Sequence, residues 1–336
     1  MRAFYEKYIL EFINPVYTSR GGMSSKEVYF ITVQDDNNTG IGEAGILKGL
    51  SIDNHLEYES KLKWVCDNIE LGRDVLLEGL FMFPSIRFAV EMAFIDLSIK
   101  EKHVLFPSDF TLGKDSISIN GLIWMGDVEF MRKQIIDKIR EGFNCIKIKI
   151  GAIDFNTEYN LIKEIRREFA DDIEIRVDAN GAFSTFKEAL EKLKRLSDLQ
   201  IHSIEQPMAK GQIQDMARLC ENPPLPIALD EELIGVLSYD DKYKLLEDIN
   251  PQYIILKPSL LGGFSSSQEW IDIAEKQSIG WWITSALEGN IGLSAISQWT
   301  YTLKTKMPQG LGTGKLYRNN IECPLNIKKD RLYYYL

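Results

Sequence analysis

Histidine is nearly absent from this chain of 336 residues: His55, His103 and His202 are the only three. They are too few and too scattered for the multi-histidine metal centres of many hydrolytic barrels. The four cysteines, Cys66, Cys145, Cys220 and Cys323, form no C-x-x-C pair, which argues against a cysteine-type zinc site. Thiols this sparse fit a reduced, cytoplasmic protein. No segment approaches the roughly 18 uninterrupted apolar residues of a membrane span. The start, Met1 to Lys7, lacks the apolar core of a signal peptide. Basic excess is also missing. The formal net charge of -10 argues against nucleic acid or an anionic membrane as partner. An anionic small molecule stays open, because a local cationic pocket can sit in an acidic protein.

What is present is ordinary for a folded chain, with 45% hydrophobic and 26% charged residues. Residues 3–13 and 27–34 are rich in Tyr, Ile, Phe and Val and predict strands. Asn14 to Lys26, with Ser19, Arg20, Gly21 and Gly22, reads as a loop, either a plain hairpin connection or a mobile lid. D-D-N-N-T-G at 35–40 is a turn, and 41–45 a short third strand. A helix is expected near 55–69. A second starts at Pro84, where Ile86, Ala89, Val90, Ala93, Phe94 and Leu97 recur at helical spacing. Strands followed by helices predict an α+β domain over residues 1–112.

From about residue 116 the pattern alternates between strand and helix. Strand candidates start near 117, 145, 173, 201, 226, 253 and 280, every 25 to 28 residues. Helices are expected between them, for instance over 130–140, 157–169 and 187–196, with a last short strand at 309–311. A βα unit repeated at that length predicts a parallel barrel over 113–313. The Tyr-rich tail, 314–336, is expected to be irregular and to pack back on the first domain. G-L-G-T-G-K at 310–315 imitates a phosphate loop. Gln309 and Leu316 stand where that motif needs Gly and Ser or Thr, so it is rejected.

In such a barrel the strands' C-terminal ends carry the chemistry. Here Lys149, Asp178, Glu205, Asp230 and Lys257 close successive strands at spacings of 29, 27, 25 and 27. Any one of these carboxylates, taken alone, suits a surface position or a helix cap. Five charges converging on one mouth are costly to bury unless paired or metal-bound. Three carboxylates suit a hard divalent cation, Mg²⁺ first and Mn²⁺ as the alternative. Taken alone, the strand C-I-K-I-K-I at 145–150 would be an edge strand with lysines in water. The downstream carboxylates reverse that, turning Lys147 and Lys149 inward and Ile146, Ile148 and Ile150 toward the helices. Repulsion between the two lysines is expected to depress the pKa of one of them. A neutral Lys149 could then take a proton α to a carboxylate, with Lys257 opposite as a second positive charge or acid/base.

These motifs, K-I-K at 147–149, D-A-N at 178–180, I-E-Q-P at 204–207, L-D-E-E at 229–232 and L-K-P at 256–258, resemble those of the enolase superfamily, in its muconate-lactonizing subgroup. The resemblance spans nearly the whole chain. It implies an α/β protein: a (β/α)7β modified TIM barrel under an α+β N-terminal capping domain, with 14–26 as the lid. Within the subgroup, T-S-R-G-G at 18–22, S-A-L-E-G-N-I-G-L at 285–293 and P-Q-G-L-G-T-G at 308–314 are most similar to the o-succinylbenzoate synthase family of menaquinone biosynthesis. That implies dehydration of 2-succinyl-6-hydroxy-2,4-cyclohexadiene-1-carboxylate, with Lys149 and Lys257 catalytic and Asp178, Glu205 and Asp230 holding Mg²⁺. Lys147, Asn180, Glu231, Ser285 and Arg20 are expected around the substrate, and the backbone amides of 288–290 are candidates for its succinyl carboxylate. Two rivals stay open: racemisation of an N-succinylamino acid, and a non-catalytic barrel scaffold. A dipeptide substrate is disfavoured, since 310–314 carries no Asp-x-Asp. No oligomeric state follows from the sequence.

Overall fold

The computed structural model describes residues 1–18, 21–99, 101, 103–169 and 172–335. An antiparallel sheet opens the chain, with β1 (Arg2–Thr18), β2 (Gly21–Gln34) and β3 (Thr39–Gly45) side by side in that order. The segment expected as a loop, 14–26, is instead largely strand. Its pairing shifts register between Glu11 and Val16, then resumes with Val16 opposite Met23 and Thr18 opposite Gly21. Glycine and serine signalled a loop, but a ladder made by main-chain groups carries such residues along.

Helices α1 (Tyr58–Asp67), α2 (Arg73–Gly79) and α3 (Pro84–Ser98) follow. Pro84 sits in the first turn of α3, where its missing N–H costs nothing. Ile86, Ala89, Val90, Ala93 and Leu97 pack on the antiparallel sheet, while Phe88 and Met92 enter the larger core behind. So α3 is buried on two sides and joins the two halves of the molecule. Sheet and helix come very close: a Cβ on Gly42 would lie 1.8 Å from the Ala89 carbonyl oxygen, so only glycine fits.

The strand expected at 117 is β4 (Ser116–Ser118), which pairs antiparallel with residues 331–333 and not with the parallel sheet. Parallel pairing begins at β5 (Gly121–Ile123). After α4 (Val128–Arg140) it continues through β6 (Cys145–Lys149), α5 (Phe155–Phe169), β7 (Glu174–Asp178), α6 (Phe186–Ser197), β8 (Ser203–Glu205), α7 (Ile213–Glu221) and β9 (Ile227–Leu229). Next are α8 (Tyr239–Ile249), β10 (Tyr253–Leu256), α9 (Pro258–Leu261), α10 (Gly263–Lys276), β11 (Gly280–Ile283) and α11 (Asn290–Thr302). The seven parallel strands β5 to β11 lie in chain order. Gln309 and Gly310 make parallel bridges to Ile119 and Thr284, beside the two outermost strands. Helix starts are fixed locally: the side chains of Asp127, Thr185 and Ser238 accept N–H bonds at the heads of α4, α6 and α8.

The tail is more ordered than its composition predicts. Its end forms a hairpin, β12 (Leu325–Lys328) and β13 (Arg331–Tyr334), against β4. Before that, 316–318 bonds along β1, with Ile13 N–H donating to the Leu316 carbonyl and Arg318 N–H to that of Glu11. The tyrosines here follow strand alternation, with Tyr334 fully buried. Among the described residues, no helix is long and apolar enough to cross a membrane.

Candidate active site

Alternation along β6 places Ile146, Ile148 and, just beyond the strand, Ile150 in the large apolar core. Lys147 and Lys149 point the other way, into a cavity of about 520 Å³ at the C-terminal ends of the parallel strands. Their side chains are only 7% and 11% exposed, which excludes an edge strand with lysines in water. Asp178, Asn180, Glu231, Lys257 and Ser285 line the same cavity. Glu205 and Asp230 lie beneath it, each 2% exposed or less. Arg20 falls outside the described residues.

The charges are interlocked. The Lys149 ammonium donates to Asp178 Oδ2 at 2.7 Å and to Asn180 Oδ1 at 2.8 Å. Lys147 donates to Glu205 Oε2 at 2.8 Å and lies 3.6 Å from Asp178. Lys257, arriving after β10 from across the sheet, donates to Asp230. Asn180 spans the site by donating from Nδ2 to Glu231 Oε1 at 3.1 Å. Both Asn180 and Gln206 hold left-handed backbone, at φ of 43° and 38°. Such strain concentrates at functional sites.

Electrostatics separates these groups. Burial would raise Asp178, but Lys149 and Lys147 hold it well below the usual carboxylate range. Burial, reinforced by the charges of Asp178 and Asp230, pushes Glu205 up to about 8 against the pull of Lys147. Burial draws Lys257 down, yet Asp230, Glu205 and Glu231 keep it above the ordinary lysine value. Lys147 corrects the expected lysine repulsion. Burial lowers it, Glu205 and Asp178 outweigh that, and the lysine opposing it is Lys257 rather than Lys149. Asp178 lies within reach of both β6 lysines, and Glu205 bonds Lys147.

Among the described residues, no three His, Cys, Asp or Glu side chains converge as a ready-made metal cage, because the carboxylates are turned toward the lysines. The donor set still suits a hard cation. Glu205 Oε1 is buried without a hydrogen-bond partner, and its neighbours Asp178 and Asp230 add to its charge penalty.

Main-chain and side-chain groups expected to meet the succinyl arm already have partners within the protein. The Gly289 amide already donates to Glu43 and the Asn290 amide to Asn320, so neither is available to a ligand carboxylate. Ser285 Oγ is held by Thr313 Oγ1 at 2.6 Å, though both residues line the cavity. Several wall residues carried no sequence signal as such, among them Leu47, Leu50, Trp124 and Thr313. Gln206 was visible only as part of I-E-Q-P. Its Oε1 accepts from the Asp230 and Glu232 amides, and its Nε2 donates to Glu232, so it shapes the turn that carries Asp230.

A parallel sheet with buried acids and lysines at its C-terminal edge, beside an antiparallel N-terminal sheet, defines an α/β protein suited to acid–base chemistry on a small molecule. The family described as enolase C-terminal domain-like matches residues 131–331. The chain is 44% identical to an o-succinylbenzoate synthase of Desulfotalea psychrophila, over 98% of this chain and 97% of that protein. The crystal structure of MenC from Desulfotalea psychrophila superposes with a TM-score of 0.89 at 41% identity, covering 99% of both chains. An N-succinylamino acid racemase of Thermus thermophilus is 28% identical over 82% of this chain and 75% of its own. The chain therefore belongs to the enolase superfamily. Members of that superfamily depend on a divalent metal ion.

Proposed function

We propose that this protein is a metal-dependent lyase that dehydrates 2-succinyl-6-hydroxy-2,4-cyclohexadiene-1-carboxylate to o-succinylbenzoate, in menaquinone biosynthesis. The observation that carries this reading is the pair of lysines, Lys149 and Lys257, reaching one charged cavity from β6 and from the end of β10. The similarity over 98% of the chain to an o-succinylbenzoate synthase supports the choice of substrate.

In this reading the neutral amine form of Lys149 takes the proton α to the ring carboxylate and, as the ammonium so formed, returns it to the departing hydroxyl on the same face, which leaves as water. Asn180 orients the Lys149 amine between these transfers. Lys257 stabilises the negative charge that develops on the substrate carboxylate. Asp178, Glu205 and Asp230 would hold Mg²⁺, with Mn²⁺ as the alternative. A cation there supplies positive charge to the substrate carboxylate during deprotonation. Lys147 and Glu231 keep the neighbouring charges balanced, and Ser285 lies along the wall for the succinyl arm. Loss of water leaves an aromatic ring, so the elimination runs downhill once the first proton is gone.

We infer also that β5 to β11, with 309–310 between their outer edges, make a (β/α)7β barrel over 113–313. Residues 1–112 cap it, 14–26 form the lid, and 314–336 tie the tail back to the cap. The two parallel bridges of Gln309 and Gly310 support that closure. Four free thiols support a cytoplasmic location.

A second reading, racemisation of an N-succinylamino acid, rests on the same two lysines and on the Thermus thermophilus relative. A scaffold without activity would have no reason to keep these charges buried. The deciding experiment assays the cyclohexadiene substrate beside a panel of N-succinylamino acids, with Mg²⁺ and in D₂O. Dehydration supports the lyase; racemisation alone moves the assignment to the second reading. Absence of α-proton exchange with every substrate sinks both.

A further inference from the structure

Outside the catalytic charges, the molecule buries a second charged group, between the antiparallel sheet and the loop after β11. Lys26, on β2, is 4% exposed. Its ammonium donates to the carbonyls of Ala286 at 3.0 Å and Leu287 at 2.8 Å. The Tyr317 hydroxyl donates to the same Leu287 carbonyl at 2.7 Å. Glu43, on β3, accepts from the amides of Gly289 and Gly292 at 2.6 and 2.8 Å. Glu288 folds back to accept from the Ala286 amide at 2.7 Å. The loop is thus gripped from the antiparallel sheet at both ends.

Leu287 explains why such a grip is needed. Its φ is 59°, a left-handed conformation that a leucine adopts only under constraint. Ser285, Ala286 and Leu287 together form one wall of the cavity. Burying an ammonium group to hold main-chain carbonyls is expensive, and here the group secures a strained turn at the cavity wall. Gly45 leaves the room for it: a Cβ there would stand 3.1 Å from the Lys26 Nζ.

We propose that Lys26 is a positioning residue for substrate binding, acting from the antiparallel domain by holding the 285–287 turn in the shape of the cavity wall. It sets affinity and takes no part in proton transfer. This rests on the reading that the cavity takes the succinylated carboxylate.

The test is Lys26→Met, which keeps the stem and removes the charge. Losing a charged donor should raise KM for the cyclohexadiene substrate and Kd for o-succinylbenzoate about tenfold. Turnover at saturation should stay within about twofold, because an interaction equal in ground and transition states leaves kcat alone. Mn²⁺ titration should be unchanged. Tyr317→Phe should move KM the same way by less. The double variant should fall short of the product of the two, since both donors serve one carbonyl. Without any ligand, amide exchange over 284–292 should quicken about tenfold in Lys26→Met while that of α3 holds. Unchanged KM and Kd, a fall in kcat alone, or exchange that rises everywhere or nowhere would overturn the proposal. If Lys26→Met does not fold, an unchanged KM in Tyr317→Phe overturns it instead. A wild type that turns over no cyclohexadiene substrate ends the functional reading, and the exchange measurement still decides Lys26.

Discussion

The inward side chains of the parallel strands form two neighbouring layers with opposite characters. Arg176 and Asp178 sit two residues apart on β7 and face the same way. Arg176 donates to Glu174 and to the Pro308 carbonyl, and its guanidinium, whose Nη2 has no hydrogen-bond partner, lies 4.5 Å from the Trp282 ring centre. Tyr253 and His202 pack against Trp282 in tilted and edge-on contacts. One layer up, Asp178 Oδ2 faces the two lysines while its Oδ1 accepts the Asn180 amide, and Glu205 keeps a buried oxygen without a partner. The lower layer meets its charge with one carboxylate, a main-chain carbonyl and an aromatic face, away from the cavity. The upper layer meets charge with mobile side-chain charge, which a cation or substrate can replace. That is the difference between a plug and a site.

The largest expected effect breaks the upper layer at its bases. Lys149→Ala and Lys257→Ala should each lower turnover by about 10³-fold or more, the scale of general acid–base catalysis. Thermal unfolding should stay within a few degrees of wild type, and activity that survives Lys149→Ala sinks the mechanism. Next come the acids. Asp178→Asn, Glu205→Gln and Asp230→Asn should each remove measurable binding in a Mn²⁺ titration, and an unchanged isotherm would show that the ligands are elsewhere.

The lower layer should answer in stability. Trp282→Ala removes a fully buried ring that also covers Arg176, and should cost about 3–5 kcal/mol of folding free energy. The protein that remains folded should keep its kcat, and a large kcat loss would erase the distinction between the layers. The smallest effect is a pH dependence. Burial, with help from Arg176, lowers the His202 pKa from its ordinary 6.5, against the pull of Glu174. Below 6.5 the unfolded chain takes up this proton before the folded one does, so stability should fall as pH drops through that value. It should level off once the folded imidazole is protonated too. His202→Gln should flatten that part of a denaturant midpoint against pH curve, and an unaltered curve would remove His202 from the plug.

The βα repeat and the charged residue at the end of five successive strands, β6 to β10, were legible in the sequence, because strand alternation and strand-end position are local properties. The same locality placed α3 and the inward turn of Lys147 and Lys149. Main-chain pairing over long separations was decided only in the tertiary structure. It moved β4 out of the parallel sheet, extended the β1–β2 ladder through glycine and serine, and made the tail a hairpin. The partners of the charges were also decided there. Carboxylates from β7 and β8 bond the β6 lysines and hold Lys147 above its ordinary pKa, while Gly289 and Asn290 lose their amides to Glu43 and Asn320. The grip of Lys26 on Leu287 spans 261 residues of sequence. No periodicity records such a contact, since it depends on where two distant segments meet and not on what either prefers alone.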